Sequence, residues 1–259
     1  MSSSLRFWIR FVAWTFALLL SGVAHAQTPF SWSGFYIGGN LGGNWVDYDS
    51  HGFTDVLSTR PLPGPNSTLV ASTPGFDKVN GAFLGGGQAG YNLQFGPFVL
   101  GFEGDFDGTP ASTTKSLFVP APLGDFGFSA ERKFESSWIA SARLRAGFAY
   151  DRFLFYATGG GAFTDVEVRA IDSYPPNGLF VSSSSQKTLA GWTAGLGAEW
   201  AVRKEVSIGL EYRHSGFGRD TYGSGSFGPI LRTESTSVGT SNNQVTLRVN
   251  FLFNGLIGR

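Results

Sequence analysis

Apolar and polar positions alternate along this chain in eight separate stretches. They are WSGFYIGGNLGGNW (32 to 45), GAFLGGGQAGYNL (81 to 93), PFVLGFEGDF (97 to 106), SSWIASARLRAGFAY (136 to 150), RFLFYATGGGAFTD (152 to 165), TLAGWTAGLGAEWAV (188 to 202), EVSIGLEYRHS (205 to 215) and NQVTLRVNFLF (243 to 253). Each carries large apolar residues on one phase and small or polar residues on the other, the period-two signature of a strand between two different environments. The connections alternate as well. Gln94-Phe95-Gly96, Asp151 and Arg203-Lys204 read as tight turns, whereas residues 46 to 80, 107 to 135, 166 to 187 and 216 to 242 are long and rich in Gly, Pro, Ser, Thr and Asn. An even number of strands, short turns at one end and long loops at the other predicts an all-β fold: a transmembrane, eight-stranded, antiparallel up-and-down β-barrel with short periplasmic turns and four long extracellular loops.

A lipocalin-type barrel would alternate equally well, so residue identity decides which face meets which solvent. In FVLGFEGDF, Phe98, Leu100, Phe102 and Phe106 share one face while Glu103 and Asp105 share the other. Arg143 and Arg145 oppose Trp138, Leu144 and Phe148. Glu199 opposes Trp192, Leu196 and Trp200; Glu211 and Arg213 oppose Ile208, Leu210 and Tyr212; Arg248 opposes the odd-numbered Val245 to Phe253. With the charges outward, four arginines at roughly 2 to 4 kcal/mol each near the bilayer midplane would cost on the order of 8 to 16 kcal/mol, as much as a whole domain's stability. The aromatic face is therefore predicted to meet lipid, and the lumen to hold four acids (Glu103, Asp105, Glu199, Glu211) and four arginines (Arg143, Arg145, Arg213, Arg248). Eight strands leave an interior that side chains fill, so these charges are expected to pair in a packed polar core without a wide pore. Trp32, Trp45, Tyr91, Trp138, Tyr150, Trp192, Trp200 and Tyr212 fall mostly near strand ends and are expected to form aromatic girdles at the two membrane interfaces.

Composition sharpens this picture. Charged residues are 15% of the chain, against roughly 25% in soluble domains, while the 37 glycines and 25 phenylalanines are far above ordinary use. There is no cysteine, so disulfides cannot hold a chain bound for an oxidising compartment. At the N-terminus, Arg6 and Arg10 precede or open an apolar run over residues 11 to 20, and Ala24-His25-Ala26 supplies small cleavage-site residues. Residues 1–26 are expected to be a cleaved signal peptide, since the run is shorter than the roughly 20 residues of a spanning helix, and 27–259 the barrel domain. Without Arg6 and Arg10 the 19 basic residues become 17, against 19 acidic ones. No basic footprint for nucleic acid remains.

WSGFYIGGNLGGNW, ASARLRAGFAYDRFLFYATGGGAF, LEYRHSGFG and the closing VTLRVNFLF together resemble the outer-membrane β-barrel domain family of alphaproteobacterial major outer-membrane immunogenic proteins, often called porin-like. The resemblance runs from about Trp32 to Phe253. It implies an outer-membrane location, antigenic surface loops and a contribution to envelope integrity, with no catalytic residues and no cofactor. Val249, Phe251 and Phe253 look like the terminal signal read by the barrel-assembly machinery, although six residues follow them. The expected partners are outer-membrane lipid and lipopolysaccharide, with that machinery during biogenesis, for a monomeric barrel. A narrow porin and a surface adhesin are the alternative functions.

Three motifs point elsewhere and fail on context. Gly85, Gly87 and Gly90 fit the dinucleotide pattern G-x-G-x-x-G but lie inside a strand with no helix after them; Gly159-Gly160-Gly161 is likewise a strand segment. His214-Ser215 could supply a base and a nucleophile, yet neighbouring strand residues point to opposite faces. Two histidines outside the signal segment, His51 and His214, and no cysteine give no metal-site spacing.

Overall fold

A computed structural model describes residues 30–51, 53–58, 68–73, 81–119, 128–174, 179–224 and 234–253. The signal segment 1–26, the tail 254–259 and the apices of the long loops lie outside the described residues.

The barrel closes through β1 (Gly34–His51), β4 (Ala82–Phe95), β5 (Phe98–Val119), β6 (Phe128–Tyr150), β7 (Phe153–Tyr174), β8 (Leu179–Ala201), β9 (Val206–Ser224) and β10 (Glu234–Leu252). Every neighbour is antiparallel, and β10 pairs with β1 to remove the last edge. The eight-stranded fold read from the period-two pattern is borne out. Two short strands, β2 (Phe53–Ser58) and β3 (Thr68–Thr73), form a separate hairpin within the first long connection.

The turns sit one or two residues from their expected places. Gly96-Pro97 joins β4 to β5, with Gly96 at φ 59; Asp151-Arg152 joins β6 to β7, with Asp151 at φ 49; residues 202–205 join β8 to β9. At the other end the expected loops are largely strand. β5 and β6 remain paired up to Val119↔Phe128, and β7 and β8 up to Tyr174↔Leu179. Ser- and Thr-rich stretches read as loops because they lack an apolar phase, yet hairpin hydrogen bonding above the membrane needs none.

Two irregularities mark where the barrel wall changes phase. The β5–β6 register shifts between Gly108 and Ala111, and the β6–β7 register shifts between Glu135 and Ile139. Below the second bulge the odd-numbered Ile139, Ser141, Arg143 and Arg145 are buried; above it the even-numbered Phe134 and Ser136 are. Asp165 accepts hydrogen bonds from the Ser137 and Trp138 backbone amides, at 2.8 and 3.0 Å, and so satisfies donors that the bulge withdraws from the ladder.

Outside, Phe98, Leu100, Phe102, Phe106, Leu144, Phe155, Leu196, Leu210 and Phe251 are exposed, as lipid-facing residues must be. Inside there are three layers rather than one polar core. Near the periplasmic turns, Val99, Ala149, Leu154, Ala201 and Leu252 are buried. Charged and amide side chains fill the middle. Toward the extracellular end an apolar cluster of Val46, Ala111, Phe134, Ile139, Ala162, Val166, Val168, Leu189 and Phe217 packs together.

Candidate functional site

The middle layer is built by inward phases of seven strands. β5 contributes Glu103, Asp105 and Asp107, β6 Arg143 and Arg145, β8 Glu199, β9 Glu211 and Arg213, and β10 Arg248; β1 and β7 add Tyr36 and Tyr156. All are buried. All eight expected lumen charges are thus brought into one connected layer.

At its centre two glutamates and two arginines close a ring. Arg143 donates to Glu103 and, at 2.6 Å, to Glu211; Arg248 donates to the remaining oxygen of each. Tyr36 Oη donates to Glu103 at 2.6 Å and Tyr156 Oη to Glu211 at 2.9 Å. On the periplasmic side Arg145 donates to Glu199, which also accepts from Ser207 Oγ at 3.1 Å, and the Arg145 guanidinium lies 3.6 Å from the Tyr156 ring centroid. On the extracellular side Arg213 donates to Asp105 at 2.8 Å, Asp107 at 2.7 Å and, through Nε, Gln244 at 2.6 Å. Asn40 then links Asp107 to Gln88, and Gln88 reaches Asn250 at 2.8 Å. Removing such charges from water costs several kcal/mol per ion unless each is paired and further hydrogen-bonded; every charge here has an opposite partner, while Nε of Arg143, Arg145 and Arg248 is buried without a hydrogen bond.

Two glycines of the inward phase make room for the tyrosines. A Cβ on Gly90 would fall on the Tyr36 phenol, and one on Gly197 on the Tyr156 ring. That is the role of the last glycine in the dinucleotide-like pattern: close approach inside a strand.

Sequence reasoning missed Asp107, which it placed in a loop, and both tyrosines, whose aromatic character drew attention to lipid. The signal was present in phase. Tyr36, Asn40 and Asn44 share even numbers on β1, against outward Phe35, Ile37 and Leu41. Counting Asp107, the layer holds five carboxylates to four guanidiniums.

The aromatic residues divide. Trp45, Tyr150, Trp192, Trp200 and Tyr212 are exposed on the outer wall, and Tyr91 and Trp138 half-buried there, stacked on Phe102 and Phe106 at 6.3 and 5.8 Å between ring centroids. Trp32 departs from the expectation: it is 1% exposed. It precedes β1, and its backbone amide is held by Gln94 Oε1 at 2.7 Å, which fixes this segment beside β4 and buries the indole. Val249 and Phe251 face outward, and Phe253 packs on Phe251 and Phe35 with centroids 5.1 and 5.8 Å apart. Ser215 is buried and bonded to Thr193 Oγ1 at 2.9 Å, whereas His214 lies on the opposite, outward phase. The pair cannot act on one substrate.

Within the layer lies a cavity of about 10 Å³ lined by residues including Asn40, Asp107, Arg143 and Arg213. That is room for about one water molecule.

The profile of the family described as "Outer membrane protein beta-barrel domain" matches residues 14–253. The chain belongs to this family. Relatives of this outer membrane protein beta-barrel include a 31 kDa outer-membrane immunogenic protein of Brucella melitensis, 33% identical over 73% of each chain. A 22 kDa outer membrane protein of Rhizobium leguminosarum is 29% identical over 81% of this chain and 76% of its own. Among solved structures, the outer membrane protein OprG from Pseudomonas aeruginosa is 13% identical with a TM-score of 0.47, over 85% of this chain and 97% of that one. The protein resides in the outer membrane, as its resemblance to the immunogenic proteins implies.

Proposed function

We propose that this outer-membrane barrel is closed and non-enzymatic, strengthens the envelope, and presents its extracellular hairpins at the cell surface. The observation that carries the reading is the filling of the lumen among the described residues: a layer of paired charges with a cavity for about one water, between buried apolar side chains below and an apolar cluster above. Ions crossing it would have to break buried pairs and then pass packed aliphatic side chains. This favours the closed reading over the narrow porin. The paired β5–β6 and β7–β8 extensions put ordered surface where antibodies could reach it, and the Brucella relatives are named immunogenic.

The test is planar-bilayer conductance of the refolded barrel beside an Arg143→Ala/Arg145→Ala variant, with heat-modifiable migration on gels as the check of folding. A silent, folded wild type is expected; stable unitary steps would favour the porin. For biogenesis, outward Val249 and Phe251 and the adjoining Phe253 form the proposed assembly signal. Phe251→Ala/Phe253→Ala should lower the heat-modifiable fraction in the outer membrane.

A further inference from the structure

His214 stands on a wall that gives it no apparent business there. Its strand neighbours on the outward phase are Ile208, Leu210, Tyr212 and Gly216, and its register partners are Ala194 on β8 and Asn243 on β10. Apart from Asn243, the outer wall among the described residues at this height and below is glycine, alanine and large apolar or aromatic side chains. Its level is set by Trp192, whose ring centroid is 5.4 Å from that of His214. Trp192 lies eight residues from Trp200 on the same strand, about 26 Å along it at roughly 3.3 Å per residue and so about 20 Å along the membrane normal at a tilt of about 40°, most of the height of an apolar band about 25 Å tall. Trp200 belongs to the periplasmic girdle, so Trp192 and His214 lie at the outer-leaflet interface.

The polar atoms are arranged for a third party. Asn243 Oδ1 lies 2.9 Å from His214 Nδ1 and accepts a hydrogen bond from Tyr212 Oη, also at 2.9 Å. With Asn243 Oδ1 as the acceptor, this contact uses the Nδ1–H form of the imidazole. This leaves Nε2 and the Asn243 amide hydrogens to a ligand. The Trp192 indole lies against Gly216, where a Cβ would displace it, and is 56% exposed. Trp45 flanks the patch on the other side as the register partner of Asn243. Flat, exposed indoles beside two fixed donors suit a sugar face carrying an anionic group.

We propose that Trp192, His214 and Asn243 form a binding site for the phosphorylated saccharide head of outer-leaflet lipopolysaccharide. The indole supports the sugar ring, while Asn243 Nδ2 and the His214 ring nitrogen turned away from Asn243 face the phosphate. The groups facing His214 are Tyr212 on its own strand, Trp192 and Ala194 on β8, and Asn243 on β10; Asp47, on the outward phase of β1, lies beyond Trp45. Glu211 and Arg213 point inward. The site does not depend on whether the lumen conducts.

The experiment uses the refolded barrel in phosphatidylcholine nanodiscs containing diphosphoryl lipid A, with retained lipid A per barrel read by native mass spectrometry. His214→Leu/Asn243→Leu should retain about tenfold less, the size of one charge-assisted hydrogen bond, while still migrating as a heat-modifiable band. His214→Lys, which keeps a donor at that position, should retain lipid A as wild type does. Arg152→Ala, at the periplasmic rim, should change nothing. Equal retention by the double variant overturns the proposal, as does phosphatidylglycerol being held as firmly as lipid A, which would reduce the site to general attraction for anionic lipid.

Discussion

Glu103 and Glu211 stand on opposite walls of the barrel, β5 and β9, four strands apart in either direction, and share both of their arginines. Each arginine donates to both glutamates, so the loss of either leaves two carboxylates short of a partner. Arg248→Ala or Arg143→Ala should destabilise the barrel by about 3–5 kcal/mol, whereas replacing all four ring members by leucine should cost less than either single change. Urea unfolding in lipid vesicles, followed by tryptophan fluorescence, reads both. A single-variant loss below about 1 kcal/mol would remove the ring from the account of stability.

Tyr156 couples the ring to the periplasmic side of the layer. It donates to Glu211 and accepts from Arg248 at 3.2 Å, with Gly197 beneath its ring. Tyr156→Phe should cost about 1–3 kcal/mol through the orphaned polar partners, and Gly197→Ala about 1–3 kcal/mol by overpacking. Gly159→Ala, on the outer wall with its nearest neighbour 4.0 Å from the added carbon, should be tolerated. The unfolding midpoint in vesicles separates these outcomes.

What was legible in the sequence follows from what period two encodes. Alternation carries strand number, the two faces and the eight lumen charges, because placing all four arginines in lipid at roughly 2 to 4 kcal/mol each would match a whole domain's stability. It does not carry the bulge between Glu135 and Ile139, which swaps phase and turns Phe134 inward although it shares even parity with outward Trp138. The upper apolar cluster was invisible because Val46, Ala111, Phe134, Val166, Val168 and Phe217 fall in stretches that read as loops. Trp32 was misplaced because residue type was allowed to outweigh position, and its burial depends on a contact with Gln94, 62 residues away. Asp107 was lost at a boundary, since Gly108, Thr109 and Pro110 read as the start of a loop while β5 continues through them.

The upper cluster should be stabilising but not the sole seal. Phe134, fully buried, is with Phe217 one of the two largest side chains in it, and Phe134→Ala should lower stability by about 3–5 kcal/mol. Conductance should stay absent because the charged layer beneath is intact. Channel openings in this variant alone would identify the cluster as the barrier.

The outer wall should discriminate by depth. Leu144, at 73% exposure the most open of the large apolar side chains on it, faces mid-bilayer; Leu144→Arg should cost about 2–4 kcal/mol. Above the membrane, Glu167 pairs with exposed Arg169 at 2.6 Å. Glu167→Ala should leave the unfolding midpoint unchanged, since solvent screens such pairs.

The ring also bears on how the last strand finds its place. A slip of β10 by one residue against β9 would turn its apolar face inward, an error that alternation itself forbids. A slip by two residues preserves every inside and outside assignment, so the lipid face cannot detect it. Such a slip carries Arg248 about 7 Å along the barrel, out of reach of Glu103 and Glu211, and leaves both half-neutralised. The charges therefore act as a key for register, distinguishing the one correct closure from the in-phase misalignments that hydrophobic patterning would accept.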